Sequence, residues 1–473
     1  RLANLFPEVD NSFDQMVVIS NQELTGIQIS GADQDRLLFT PASSLSDSRT
    51  FLQKLESLPG VAFTESELLE PFEASYRVYV TQPLNQLEPD GRTFVQECFL
   101  NHRDEHAPMV LYTGGYMLTR NRYHEMSGIL TANQIHLPHR FFDGAKVENP
   151  DWQYLNIRQA AEDFHRIVLL FKELYRDTWV NTGGSKGGMT SIFHRRFYPD
   201  DFRATVAYVA PIILGLPDDR FQTFVDHQAG TAECRDALRA HQRVMLSLRD
   251  SLLPIMQTYA SANERTYVRT GLERAFEYAV MEYPVAFWQY GGNTCESIPA
   301  PDATPEEMML HLLQTVGFIY CDQDLDGFEP FYFQAVTEFG YYSFMTETFQ
   351  DLLQVVPNPS WAEFAPQDVP TQYDQAVMQD IVQWIQAEGN QIVYLYGGND
   401  PWTSCQVELT GQTDALKLVE PGRNHGVRIY QLTEREQVYQ KLEQWLDMQV
   451  IRNKQKGTDW LEPTLVRFGL GAH

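Results

Sequence analysis

Cysteine, positive charge and long apolar runs are all scarce in this 473-residue chain, and each shortage excludes something. The five cysteines, Cys98, Cys234, Cys295, Cys321 and Cys405, form no C-x-x-C pair, so neither a metal knuckle nor a thioredoxin-type dithiol is expected. Zero, one or two disulfides are open, and the odd count leaves at least one thiol unpaired within a monomer. Lysine and arginine total 36 against 63 acidic residues, a net charge of −27. Such a field repels nucleic acid and anionic membranes and draws in cationic ligands. No run approaches the roughly 18 apolar residues of a spanning helix. No internal repeat or low-complexity segment is present, and no residue set calls for a metal or cofactor.

What the chain does have is a globular composition, 43% apolar and 12% aromatic, and a length beyond one compact core. Residues 1–50 mix polar residues with short apolar pieces such as Met16-Val17-Val18-Ile19 and read as a separate N-terminal extension. Ser75 to Gln82 and Thr93 to Asn101 are strand-like and predict a hairpin at a sheet edge, turning at Pro89-Asp90-Gly91. Strands then alternate with helical patterns: Met109 to Tyr112, Gln134 to Leu137, a helix from Asn156 to Tyr175, and a strand from Ala204 to Ala210. That alternation predicts a mainly parallel sheet covered on both faces. Residues 213–389 are mostly helical, with helices expected over Arg235 to Leu253, Thr270 to Met281 and Ala376 to Ala387. The strand pattern returns at Gln391 to Tyr396 and Ala415 to Val419, followed by a helix from Glu434 to Leu446. The expectation is an α/β-hydrolase fold: core 51–212 and 390–473, with a large, mainly helical cap, 213–389, inserted between core strands.

The segment Trp179 to Thr190 contains Gly183-Gly184-Ser185-Lys186-Gly187, a G-x-S-x-G match between a short apolar run and a helical stretch. Strand, tight turn and helix in that order expose a serine hydroxyl at a helix N-terminus, where the Lys186 amide can stabilise an oxyanion. A lone Gly/Ser turn is weak, so its meaning depends on partners. A serine hydroxyl needs an imidazole to take its proton and a carboxylate to orient the imidazole. Asp400 follows a strand in Gly397-Gly398-Asn399-Asp400-Pro401-Trp402, where it would also suit an Asx turn. His425 follows the last strand in Asn424-His425-Gly426. Ser, Asp, His is the α/β-hydrolase chain order. Thr113-Gly114-Gly115-Tyr116 occupies the loop after the third strand, and Gly115 or Tyr116 would supply the second oxyanion N–H.

Asn181 to Thr190, Arg195-Arg196-Phe197-Tyr198-Pro199, Val206 to Pro211, Asn399-Asp400-Pro401-Trp402 and Asn424-His425-Gly426 together resemble the secreted Streptomyces-type tripeptidyl aminopeptidases. These serine peptidases are related to the prolyl carboxypeptidase and dipeptidyl peptidase II group. Leu111 to Tyr116, Thr81-Gln82-Pro83 and Asp163-Phe164-His165-Arg166-Ile167 fit the same pattern, and the resemblance covers about residues 52–450. It implies a secreted or periplasmic exopeptidase that removes tripeptides from free N-termini, often after proline. It also implies Ser185 as nucleophile, His425 as base then acid, and Asp400 as its orienter. One departure stands out: the segment resembling the family's Glu-Tyr-Arg-Phe-Phe reads Pro138-His139-Arg140-Phe141-Phe142 here.

An enzyme that counts residues from a substrate amine needs a carboxylate at the blind end of its cleft, because an α-ammonium with pKa near ~8 pairs with an anion. Glu338, in the family-like segment Thr337 to Tyr342, is the first candidate, followed by Glu347 and Glu125. Two other readings compete. An esterase or lipase on the same fold would hydrolyse short esters and have an apolar groove without a buried acid. A catalytically inactive peptide-binding protein would fail to react with a fluorophosphonate.

Overall fold

The computed structural model describes residues 49–452 other than residue 345, together with the short strands Ile27–Ile29 (β1) and Phe39–Pro41 (β2). Two compact units divide the chain, Arg1–Lys54 and Leu55–His473. In the first, β1 and β2 pair antiparallel; Met16 to Ile19 lie outside the described residues.

The second unit is built on a nine-stranded sheet. Its strands are Val61–Glu65 (β3), Ala74–Pro83 (β4), Thr93–His102 (β5), Met109–Thr113 (β6), Asn133–Leu137 (β7), Trp179–Gly184 (β8), Ala204–Tyr208 (β9), Ile392–Gly397 (β10) and Ala415–Glu420 (β11). They lie in the order β11-β10-β9-β8-β6-β7-β5-β4-β3. From β7 to β11 every neighbouring pair is parallel, whereas β3, β4 and β5 run antiparallel. Strands β6 to β10 are buried along their whole length, as strands covered on both faces are. The expected hairpin, β4 with β5, is one strand in from the edge, because β3 covers it. That strand is short and largely exposed, too faint a pattern to read in advance.

Helix Phe51–Glu56 (α1) precedes the sheet. One face is covered by Glu125–Leu130 (α2), whose Met126 and Ile129 share a core with Val180, Val206 and Leu395. The other carries Ile157–Lys172 (α3) and Lys186–Phe197 (α4), which pack Ile157, Met189 and Ile192 against Ala207 and Tyr396. Asn156 caps α3 by accepting from Gln159 N.

Between β9 and β10 stand seven helices: Asp219–His227 (α5), Ala232–Ser247 (α6), Arg249–Ala262 (α7), Leu272–Tyr290 (α8), Pro305–Val316 (α9), Asp322–Gln334 (α10) and Gln375–Ala387 (α11). The helix expected over 235–253 is two helices, interrupted at Leu248. The helix expected to stop at Met281 continues through Pro284 to Tyr290. Every residue from Ala275 to Gln289 is buried, so packing on all sides outweighs the hydrogen bond that proline cannot donate. A disulfide, Cys234–Cys295, links the first turn of α6 to the segment beyond α8, and Cys98, Cys321 and Cys405 are buried thiols. Helix Arg435–Leu446 (α12) completes the α2 face of the sheet.

Candidate active site

Ser185 sits between β8 and α4 with φ 55° and ψ −129°, a conformation costly for any residue with a Cβ. The surroundings hold it there. Its N–H donates to Tyr208 O at 2.9 Å, and Thr113 Oγ1 donates to Gly187 O at 3.0 Å, tying β6 to the turn. A Cβ at Gly183 would lie 2.2 Å from Gly187 O, so only glycine lets α4 start this close to β8.

Asp400, fully buried, follows β10. Its Oδ1 accepts from Trp402 N at 3.1 Å while its Oδ2 faces His425 Nδ1 at 2.6 Å. The Asx turn and the histidine partnership are therefore both present, one oxygen serving each. His425 is 8% exposed, and its Nε2 has no hydrogen-bond partner among the described residues. With Nδ1 given to the carboxylate, Nε2 is the nitrogen left to receive a proton. The loop is held from two sides. His425 N donates to Gln289 O on α8 at 3.1 Å, and Ile429 N and Tyr430 N donate to the Glu125 carboxylate, each at 3.1 Å.

Of the glycine loop after β6, Gly114 N–H is used by Leu137 O at 2.9 Å. Gly115 and Tyr116, the expected oxyanion donors, follow it in the same loop, beside Lys186 at the start of α4. Gly115 lies directly on the elbow, where a Cβ would be 2.5 Å from Gly187 N. Tyr116 and Lys186 line one cleft with Ser185, together with Glu282, Gln289 and Tyr290 of α8 and with Phe328, Phe331, Phe339, Tyr341 and Trp402.

None of the three acids expected to meet a substrate amine is in that cleft. Glu338 lies in a π-helical turn, Ala335–Phe339, and accepts from Ile157 N at 2.8 Å, so one of its oxygens serves the N-terminus of α3. Burial pushes its carboxyl up to about 8. Glu347 is exposed at the start of a short 3₁₀ turn. Glu125 is buried on the α2 face, where it also accepts from Tyr208 Oη at 2.8 Å; there it braces the segment behind His425. The acid that lines the cleft is Glu282, 8% exposed, whose Oε2 accepts from Tyr342 Oη at 2.5 Å. Its sequence signal is a single charge within the apolar run Val280 to Trp288, a reason to look that periodicity alone does not supply.

The Pro138 segment lies beneath the glycine loop. Pro138 O accepts from Gln96 Nε2 at 3.0 Å, and Arg140 forms a fully buried pair with Asp163 at 2.7 Å. Away from the cleft, Asp201 Oδ2 bonds His165 Nδ1 and His194 Nε2, each at 2.8 Å, and these contacts hold its carboxyl at about 2 against the cost of burial. These donor types suit a divalent ion. Ligation through His194 Nε2 would bury an Nδ1–H without an acceptor, however, so the trio fits better as a lock between α3 and α4.

A serine at a strained strand-to-helix turn, an aspartate-bound histidine and a glycine loop, each after a parallel strand, match the arrangement that serine hydrolases of the α/β-hydrolase fold use. The chain belongs to the PS-10 peptidase S37 family, whose model it matches over residues 47–454. It is 31% identical over 433 residues to the prolyl tri/tetrapeptidyl aminopeptidase of Streptomyces mobaraensis, covering 89% of this chain and 91% of that one. It is 23% identical to the thymus-specific serine protease of Homo sapiens, covering 77% and 81%. Among solved structures, the proline iminopeptidase of Mycobacterium smegmatis aligns over 78% of this chain and 98% of its own, with TM-score 0.39 and 13% identity.

Proposed function

We propose that this chain is a serine exopeptidase that releases tripeptides, with proline favoured before the cut bond, from free peptide or protein N-termini. The observation that carries the reading is the cleft itself, which Ser185 and Glu282 both line. In this reading Ser185 Oγ attacks the scissile carbonyl while its proton passes to His425 Nε2, and Asp400 stabilises the imidazolium. The oxyanion receives N–H groups of Lys186 and of Gly115 or Tyr116. The C–N bond then breaks as His425 returns the proton to the departing amine, leaving an acyl-enzyme. Water, deprotonated by the same histidine, attacks the ester and frees the peptide and Ser185.

Glu282 takes the ruler's role that sequence reading assigned to Glu338, Glu347 or Glu125. Its carboxylate pairs with the α-ammonium, and the insertion, residues 213–389, acts as a cap that closes the cleft beyond it. The net charge of −27 favours arrival of a cationic terminus. A secreted or periplasmic location is supported by the Cys234–Cys295 disulfide, since oxidising compartments are where such bonds persist. No helix among the described residues is long and apolar enough to cross a membrane.

The test compares Ala-Ala-Pro-arylamide with its N-acetylated form. Rapid turnover of the first and a loss of about 10²-fold or more in kcat/KM for the second is expected from losing a charge-assisted contact. Equal turnover of the two would remove the amine ruler, and rapid cleavage of short esters in preference to either peptide would favour an esterase.

A further inference from the structure

The side chain of Lys186 is not explained by the elbow, which uses only its backbone. It turns inward from the first residue of α4 and is 4% exposed. Its Nζ donates to Gly115 O at 2.8 Å and sits over the rings of Tyr116, Phe142 and Phe339 at 5.7, 5.3 and 5.9 Å. Burying an ammonium is expensive, and a cation over aromatic faces recovers part of that cost. Burial pushes the Lys186 amine well below its ordinary range, and the nearby Glu338 carboxylate acts in the opposite direction.

What the Nζ group holds is one particular peptide unit. Gly115 C=O and Tyr116 N–H belong to the same planar trans amide and point in opposite directions. A donor on the carbonyl therefore fixes the direction of the N–H. The next peptide is held as well, because Tyr116 O accepts from His139 N at 2.9 Å. A hydrogen bond received by the carbonyl also polarises the amide, making its N–H a stronger donor.

We propose that Lys186 is a positioning residue for the oxyanion hole: its Nζ, donating to Gly115 O, pins the Gly115–Tyr116 peptide so that the Tyr116 N–H is aimed at the oxygen on which charge develops. The inference rests on Ser185 being the nucleophile.

The experiment substitutes Lys186→Met, which fills the volume without charge, and Lys186→Gln, which keeps a neutral donor. Concentrations are set by fluorophosphonate titration of Ser185, so that kcat is per competent site and misfolded protein drops out. With Ala-Ala-Pro-arylamide, Lys186→Met is expected to lower kcat by about 10²-fold, the scale of one lost oxyanion donor, with KM within about threefold. A peptide boronate, which carries the tetrahedral geometry, should lose affinity by a similar factor, while the product tripeptide should not. Lys186→Gln should recover part of the loss in both kcat and boronate affinity. Titrated Lys186→Met with kcat and boronate affinity within threefold of wild type would overturn the proposal, as would equal loss of boronate and product affinity. If Lys186→Met gives no titratable protein, Lys186→Leu, which likewise lacks a donor, takes its place: wild-type kcat and boronate affinity there would overturn the proposal. An active Ser185→Ala would instead remove the nucleophile reading, a separate failure.

Discussion

The loops at the C-terminal ends of β6, β8 and β10 and the helical insertion line one cleft, but these loops, with the His425 loop after β11, and the insertion set atomic positions by different means. In the loops it is backbone that does so. Ser185 is fixed by a left-handed φ, Gly183 and Gly115 by contacts too close for a Cβ, and Asp400 by a turn that occupies one of its oxygens. In the insertion, side-chain packing does it. Glu282 is placed by a helix buried on all sides and by one tyrosine hydroxyl. Changes in the loops should therefore appear in kcat, and changes in the insertion in which substrates are bound or how firmly the insertion holds together. Substitutions that violate that division would break the comparison.

The largest effect is expected at Ser185. Ser185→Ala should lower kcat for Ala-Ala-Pro-arylamide by at least about 10⁴-fold while leaving product affinity within about twofold, measured by calorimetry. Gly115→Ala comes next. Its Cβ would press on Gly187 N at 2.5 Å and Lys186 C at 2.7 Å, both backbone atoms that cannot swing away. The displaced amide should lower kcat by about 10²–10³-fold with KM little changed. An unaltered kcat would show that this peptide is not an oxyanion donor.

Smaller, and of a different kind, is the effect of Glu282→Gln. The isosteric amide can still accept from Tyr342 Oη but carries no charge. For the free-amine substrate kcat/KM should fall by about 10–100-fold, chiefly through KM, while the N-acetylated substrate is barely affected. An equal fall for both substrates would make Glu282 a structural acid and shift the ruler elsewhere in the insertion.

This division also accounts for what could be read from the chain. The elbow, the Asp400 loop, the His425 loop and Gly114-Gly115 were legible because backbone constraints of that kind demand glycine, proline and turn-forming residues at short spacings, and such residues are conspicuous. Parallel strands were legible as apolar runs for a similar reason, burial on both faces. Within the insertion the same methods met their limit. Pro284 reads as a helix stop, yet tertiary packing carries α8 past it and into the cleft. Glu338 sits in a family-like segment, but its partner is the amide of Ile157, 181 residues away in sequence and not visible from either stretch. Glu125 lies close to the glycine loop in the chain and on the far face of the sheet in space. The short edge strand β3 was likewise decided by its pairing with β4 rather than by local pattern.

The subtlest expected effect concerns the insertion's own cohesion. His241, on α6, is 3% exposed and neither ring nitrogen has a hydrogen-bond partner among the described residues. It packs between the rings of Tyr283 and His311, at 5.5 and 6.0 Å, while His311 Nε2 is engaged with Tyr283 Oη at 2.7 Å. Burial, and secondarily the charge that His311 gains on protonation, lowers the His241 imidazole from 6.5 to about 4. The unfolded chain thus binds a proton near pH 6.5 that the folded chain refuses until about pH 4, so stability rises with pH across that window. No penalty is present well above pH 6.5; by pH 5 it amounts to about 2 kcal/mol at 1.36 kcal/mol per unit. His241→Phe removes the titration and keeps an aromatic ring against Tyr283. The fall in Tm between pH 7.5 and pH 5 should be smaller in the variant than in wild type by a few degrees, with kcat at pH 7.5 within about twofold. Identical pH dependence of Tm in the two proteins would mean that His241 is protonated as readily folded as unfolded, and that the insertion carries no acid-sensitive element at this position.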